Sequence, residues 1–141
     1  MKKNLLVCLL VTVCFFFIKT GYAQNFPATE DSIKTMICKK WEVDHALMMG
    51  MQIGKEQGAP DMVFEFRPDK TYTATSSTDK DKHMGKWEVD MKNKNIRLYA
   101  RDKHGITIIS VSPDELIMKF VPQDKNDKES ENTQLVLKIK S

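Results

Sequence analysis

Trp41-Glu42-Val43-Asp44-His45-Ala46-Leu47-Met48-Met49-Gly50-Met51-Gln52-Ile53 is the stretch on which the reading of this chain turns. Trp41, Val43, His45, Leu47, Met49, Met51 and Ile53 alternate with Glu42, Asp44, Ala46, Met48, Gly50 and Gln52. A period of two is the signature of a strand with one buried face, because successive side chains leave a strand on opposite sides. His45 is the one polar residue on the apolar face. The stretch reads as a single long strand; the alternative divides it near Met49-Gly50 into a strand and an apolar loop.

The pattern just upstream is different. Thr29 is suited to cap a helix, and Glu30 and Asp31 favour its positive start. Ile33, Met36 and Ile37 then recur at helical spacing, which predicts one short amphipathic helix of about two turns. Residues 24–37 are therefore a lead-in and helix, and 38–141 the main domain.

Downstream the alternation returns between regular turns. Met62, Phe64 and Phe66 form one apolar face, followed by a Pro68-Asp69-Lys70 turn. Tyr72 and Ala74 oppose Thr71, Thr73 and Thr75. Gly85, Trp87, Val89 and Met91 oppose Lys86, Glu88 and Asp90. Ile96, Leu98 and Ala100 come after the Lys92–Asn95 turn. Asp102–Gly105 turns the chain into the apolar run Ile106–Val111. Ser112-Pro113-Asp114 precedes Leu116, Met118 and Phe120, and Leu135, Leu137 and Ile139 end the chain. Gly54–Pro60, Ser77–Lys82 and Gln123–Asn132 read as loops. Lys40-Trp41-Glu42-Val43-Asp44 recurs as Lys86-Trp87-Glu88-Val89-Asp90, so two strands each turn Trp and Val inward under alternating charge.

Eight strand signals joined mainly by short turns favour antiparallel neighbours. A meander of that length exposes two edges unless it closes on itself. The expected fold is all-β: an eight-stranded antiparallel up-and-down β-barrel with a short N-terminal helix. A two-sheet sandwich is the alternative, with Gly54–Pro60 and Gln123–Asn132 as its long connections.

The chain has 141 residues, 22 basic and 19 acidic. Residues 1–23 read as a secretory signal: Lys2 and Lys3, an apolar run from Leu5 to Ile18, and Gly21-Tyr22-Ala23 before Gln24. The chain from Gln24 onward is long enough for one domain and not for two. Three of the basic residues, Lys2, Lys3 and Lys19, lie in the signal, so the mature chain has no net charge. That argues against a nucleic-acid or anionic-membrane binder, which needs a basic surplus. No other apolar stretch is long enough to span a bilayer. Cys8 and Cys14 fall in the signal, leaving Cys38 without a partner and best read as a small buried residue. A lipid anchor at Cys14 is the lesser alternative, because Phe15–Phe17 continue the apolar run beyond it. The expected product is exported, periplasmic or secreted, not membrane-spanning, and monomeric.

At Ile37–Val43, at Phe66-Arg67-Pro68-Asp69-Lys70-Thr71-Tyr72, and at Gly85-Lys86-Trp87-Glu88-Val89 with Ser112–Leu116, the chain resembles the small bacterial secreted lipocalin-like domain family of calycin type. The resemblance covers about 38 to 140. It implies a lipocalin-like barrel that holds a small molecule. Larger lipocalins cover the first-strand Trp with an Arg from the last strand, where this chain has Lys138 and Lys140.

The candidate ligand-binding residues are His45, Leu47, Met49, Met51, Phe64, Phe66, Tyr72, Trp87 and Met118. Methionines give an adaptable lining, while His45 and Tyr72 are the polar groups that would orient a ligand's head. Leu47–Ile53 is also a candidate lid. Cys38, His45, Met48, Met49 and Met51 are soft ligands in one segment, yet strand alternation turns Met48 away from His45 and Met49, and His83 and His104 fall in loops. No metal site and no cofactor are expected. No nucleophile elbow, phosphate loop or His-Glu-x-x-His occurs, and the acids alternate outward, so no enzymatic activity is expected. The expected function is an exported, non-catalytic binding protein for a small hydrophobic or amphipathic molecule. The alternative is a filled barrel acting as a protein-interaction module in the cell envelope, through Thr71–Thr75 or the outward Val63, Tyr99 and Ile109.

Overall fold

The computed structural model describes residues 26–78, 82–124 and 126–141. The signal-peptide reading and the lipid-anchor alternative at Cys14 lie outside these residues. Helix α1 spans Glu30–Ile37. The strands are β1 (Lys40–Met48), β2 (Met51–Gly54), β3 (Met62–Phe66), β4 (Thr71–Ser76), β5 (Lys82–Asp90), β6 (Asn95–Ala100), β7 (Lys103–Val111), β8 (Glu115–Phe120) and β9 (Thr133–Ile139). A one-turn helix, α2 (Lys128–Glu131), interrupts the loop expected at Gln123–Asn132.

The sheet runs β2-β1-β3-β4-β5-β6-β7-β8-β9, and β1 also pairs with β9. Eight antiparallel strands thus close into a barrel, and β2 is a flap outside the ring. One edge of β1 is shared between two partners: Lys40–Glu42 pair with β3, and His45–Met48 pair with β2. The other edge carries β9.

Two corrections arise within the decisive stretch, and both have backbone causes. The single long strand is a hairpin. Met49 and Gly50 take φ of 49° and 80°, the paired left-handed conformations of a two-residue type I′ turn. Glycine adopts the second position without steric cost. The second correction is a β-bulge. Val43 pairs with Leu137 and His45 with Val136, so Asp44 is an extra residue with no opposite number. One added residue reverses which face each later side chain occupies. Beyond the bulge Ala46 faces the core, 3% exposed, and His45 and Leu47 stand on the opposite side.

Smaller differences also occur at strand ends. β5 begins at Lys82 rather than Gly85, and β7 begins at Lys103, so His83 and His104 are strand residues and not loop residues. The β6–β7 turn is Arg101–Asp102, both at positive φ. The Pro68-Asp69-Lys70 turn stands as expected, with the Thr71 amide donating to Asp69 Oδ1 at 3.0 Å.

Helix α1 plugs one end of the barrel. Thr29 accepts the Ser32 amide at 3.2 Å as N-cap, and Ile33 and Ile37 are fully buried against the core. The Trp41 indole N–H donates to the Ile37 carbonyl at 2.9 Å, tying the helix end to β1. Trp87 donates to the Arg67 carbonyl at 3.2 Å. Lys39, not a last-strand cation, lies over the Trp41 ring, its Nζ 5.9 Å from the centroid, while Lys138 is engaged with Glu115.

Candidate binding site at the barrel mouth

The residues expected to line a ligand cavity divide into two groups. Phe64, Phe66, Tyr72, Trp87 and Met118 all point into the barrel. Their rings pack on one another: Phe64 and Phe66 centroids are 6.4 Å apart, and Phe66 and Tyr72 are 5.9 Å apart. Tyr72 also lies against Gly85, where an added Cβ would come within 2.6 Å of the ring. These five side chains are between 0 and 5% exposed. A lumen open to small molecules at this level would leave them accessible. They are the filling of the barrel and not the wall of a container. Burial raises the pKa of the Tyr72 hydroxyl, which keeps its proton.

His45, Leu47, Met49 and Met51 belong to the second group. The bulge turns His45 outward, where its Nδ1 lies 2.7 Å from Asp44 Oδ2. Leu47 shares that outer face. Met49 lies in the hairpin turn and Met51 directly after it, 76% and 61% exposed. The structure therefore does not bring them together with the inner aromatics. The segment Leu47–Ile53 forms part of the β1–β2 hairpin.

Among the described residues, the end opposite α1 carries the one-turn α2 at its rim and no counterpart of α1. Here lies a depression of about 270 Å³ lined by Ala46 and Met48 from β1, Ile53 from β2, Gly58-Ala59-Pro60, Phe120 at the end of β8, Ser130, and Thr133 and Leu135 at the start of β9. Its lining is mainly aliphatic and aromatic. The wall is built by the features that overturned the simple alternation. The bulge brings Ala46 and Met48 inward, and the hairpin folds Ile53 back to Ala46, its partner in the β1–β2 register. The Gly54 carbonyl accepts the Ala59 amide at 3.1 Å, and the Gln57 side chain accepts the Gly54 amide at 3.0 Å, which fixes the connecting loop beside the mouth. Ala46, Met48 and the Gly58–Pro60 loop were missed by periodicity; Gly50, at the second position of a two-residue turn, was the sequence signal that could have found the hairpin.

A second concavity, about 620 Å³, lies on the outer wall. Val63, Thr73 and Thr75 line it with Lys40, Glu42, Lys55, Asp61, Glu65, Lys82 and Lys140. It contains part of the threonine face read from the sequence. Lys55 bridges Glu42 at 3.6 Å and Asp61 at 3.5 Å. The Ser77 hydroxyl, with Lys55, holds the Asp61 carboxyl below the usual carboxylate range.

Among the described residues no group of three or more His, Cys, Asp or Glu is gathered as a metal site would need. No helix among them is long and apolar enough to cross a membrane. Cys38 is half-buried, and burial raises its pKa, so the thiol stays protonated and weakly nucleophilic.

No family model and no curated protein matches the chain. Among solved structures it is similar to a crystal structure described as a DUF4847 family protein from Bacteroides vulgatus ATCC 8482. The two are 11% identical, with a TM-score of 0.51 over 76% of this chain and 96% of that one. At that identity the likeness concerns the barrel fold alone.

Proposed function

We propose that this chain is an exported, non-catalytic binding protein that holds a small hydrophobic or amphipathic molecule at the mouth of its barrel. The observation that carries this reading is the apolar depression of about 270 Å³ at the end opposite α1, above a filled interior. Ligand sites are typically concave and mostly apolar with a few polar groups at one side, and Ser130 and Thr133 are the polar residues of this lining. The lipocalin-like resemblance supports a binding role, and the N-terminal sequence supports export to the periplasm or medium. The site differs from the one expected from sequence: the ligand sits above Phe64, Phe66, Tyr72, Trp87 and Met118, not among them.

Titration with a fluorescent fatty-acid probe tests the proposal. Saturable one-to-one binding is expected, abolished by Ile53→Glu and unchanged by His45→Ala. Absence of saturable binding, or loss of binding in His45→Ala with Ile53→Glu unaffected, would remove the mouth as the site.

A second reading draws on the solid interior and the larger polar groove on the outer wall. In it the barrel is an interaction module whose partner docks on Val63, Thr73 and Thr75. A Thr75→Arg variant that loses a partner retained by Ile53→Glu would favour this reading over the first.

A further inference from the structure

Met48, Met49 and Met51 bring three thioethers to the tip of the β1–β2 hairpin, so a third of the chain's nine methionines fall within four residues. On a single continuous strand Met48 would face away from Met49 and Met51, and the expectation of no metal site followed from that. The hairpin changes the geometry. Met48 and Met51 are direct partners in the antiparallel register. Residues so paired share one face of the ladder, with Cα atoms about 5.5 Å or less apart. Met49 stands in the turn that joins them, at φ 49°. A methionine side chain is unbranched and flexible, so its sulfur can swing toward a point shared with its neighbours. Core packing does not account for the cluster: Met49 and Met51 are largely exposed, and a Cβ added at Gly50 would meet nothing within 4 Å.

The chemistry of the tip narrows what it can hold. From Ala46 to Gly54 the chain carries no charged residue. His45 opposes Gly54 at the base of the hairpin, on the other face, and its ring is engaged by Asp44. Lys55 is held beyond the base by Glu42 and Asp61. Hard divalent ions take carboxylates, carbonyls and water, whereas neutral thioethers select the soft cuprous ion. With no anionic ligand to offset the charge of the ion, a single positive charge is favoured over two. We infer that the β1–β2 tip is a cuprous-ion site to which Met48, Met49 and Met51 supply the sulfurs. The ion is bound and released as Cu(I), and no electron is transferred. The site is independent of the apolar-molecule function, although Met48 also lines the mouth.

Competition for Cu(I) against the coloured chelator bicinchoninate, under reducing and oxygen-free conditions, tests this. The protein carries Cys8→Ser, Cys14→Ser and Cys38→Ser, which removes the thiols that would compete for the ion. One equivalent should bind. Met48→Leu and Met51→Leu conserve volume. Each should weaken binding by about tenfold or more, at least the loss that changes outside the ligand shell cause at metal sites. His45→Ala and Met84→Leu, the latter at a methionine 72% exposed on β5, should leave binding unchanged. A thioether has no proton to lose, so affinity should stay level between about pH 5 and pH 8, where protonation of a histidine ligand would abolish it. In the unaltered chain, silver(I) should shift the methyl resonances of Met48, Met49 and Met51 and leave those of Met84 and Met91 in place. Binding that survives Met48→Leu with Met51→Leu, a loss in His45→Ala, a fall in affinity on acidification to about pH 5, or silver shifts spread over all exposed methionines overturns the site. Each of those outcomes leaves the apolar-molecule function standing.

Discussion

The two ends of this barrel are made from similar strands and have opposite character. At the plugged end, α1 lays Ile33 and Ile37 onto Trp41, all fully buried, and the indole N–H is satisfied by the helix's own last carbonyl. At the mouth the one-turn α2 stands at the rim with Ser130, and apolar residues such as Met48 and Ile53 line a depression instead of filling it. Two methionines on the flap are left largely in water. The contrast separates residues that hold the fold together from residues free to meet something else. Apolar groups that a domain buries contribute stability, whereas those it leaves at a concave rim are available for binding.

That contrast can be broken or sharpened experimentally. The largest effect is expected at the plugged end. Trp41→Ala and Trp87→Ala should each cost about 3–5 kcal/mol in denaturant unfolding, because each empties a fully buried site. A loss of similar size from Ile53→Ala at the mouth would erase the distinction between the two ends.

Gly85→Ala comes next. The new Cβ would meet the Tyr99 carbonyl and lie 2.6 Å from Tyr72 Cε1. A backbone oxygen cannot move aside as the tip of a flexible side chain can, so a loss of about 3 kcal/mol is expected in thermal or denaturant unfolding. Little or no loss would mean that the strands there are less tightly held than the register implies.

A smaller effect belongs to His45. Its outward position and surface partner Asp44 predict that His45→Ala costs under about 1 kcal/mol. A larger loss would mean that the histidine serves the core as the simple alternation had it.

The clasp between α1 and the β3–β4 turn should be weaker still. Glu30 Oε1 lies 2.5 Å from Lys70 Nζ. The hydrogen bond and charge of Lys70 hold the Glu30 pKa below its ordinary value of 4.5. The folded protein thus favours the ionised carboxyl. The pair's contribution is present above that ordinary value and is lost as pH falls through the lowered folded one. Because both partners are substantially exposed, it should amount to about 0.5 kcal/mol at neutral pH. Glu30→Gln should be less stable than the parent by that amount at pH 7 and converge with it in acid. The smallest effect is expected for Met49→Ser with Met51→Ser, within about 0.5 kcal/mol, since both side chains are already exposed.

Much of the architecture was legible in the sequence because it rests on repetition. Ile33, Met36 and Ile37 announced the plug helix, and Phe64–Phe66, Tyr72–Ala74, Ile96–Leu98 and Leu116–Met118 announced strands whose inner faces proved buried. A period of two survives as long as each residue has a partner across the ladder. It fails where the ladder gains a residue, and that failure fell on the segment that alternation had made the ligand wall. Counting on from Trp41 puts His45 and Leu47 in the interior; the extra residue at Asp44 places Ala46 and Met48 there instead. The inner aromatics were correctly placed inside, yet their burial shows packing where a lumen had been expected.

Alternation, turn residues and a capped amphipathic segment were enough, by themselves, to determine an antiparallel all-β chain with one short helix. These are local properties, set by which backbone angles each residue tolerates and which face of each element avoids water. Closure of β1 on β9, the bulge at Asp44, the flap formed by β2 and the solidity of the lumen were decided only in three dimensions. Each depends on residues far apart in the chain competing for the same space and the same hydrogen-bond partners, and no count along a single strand contains that competition.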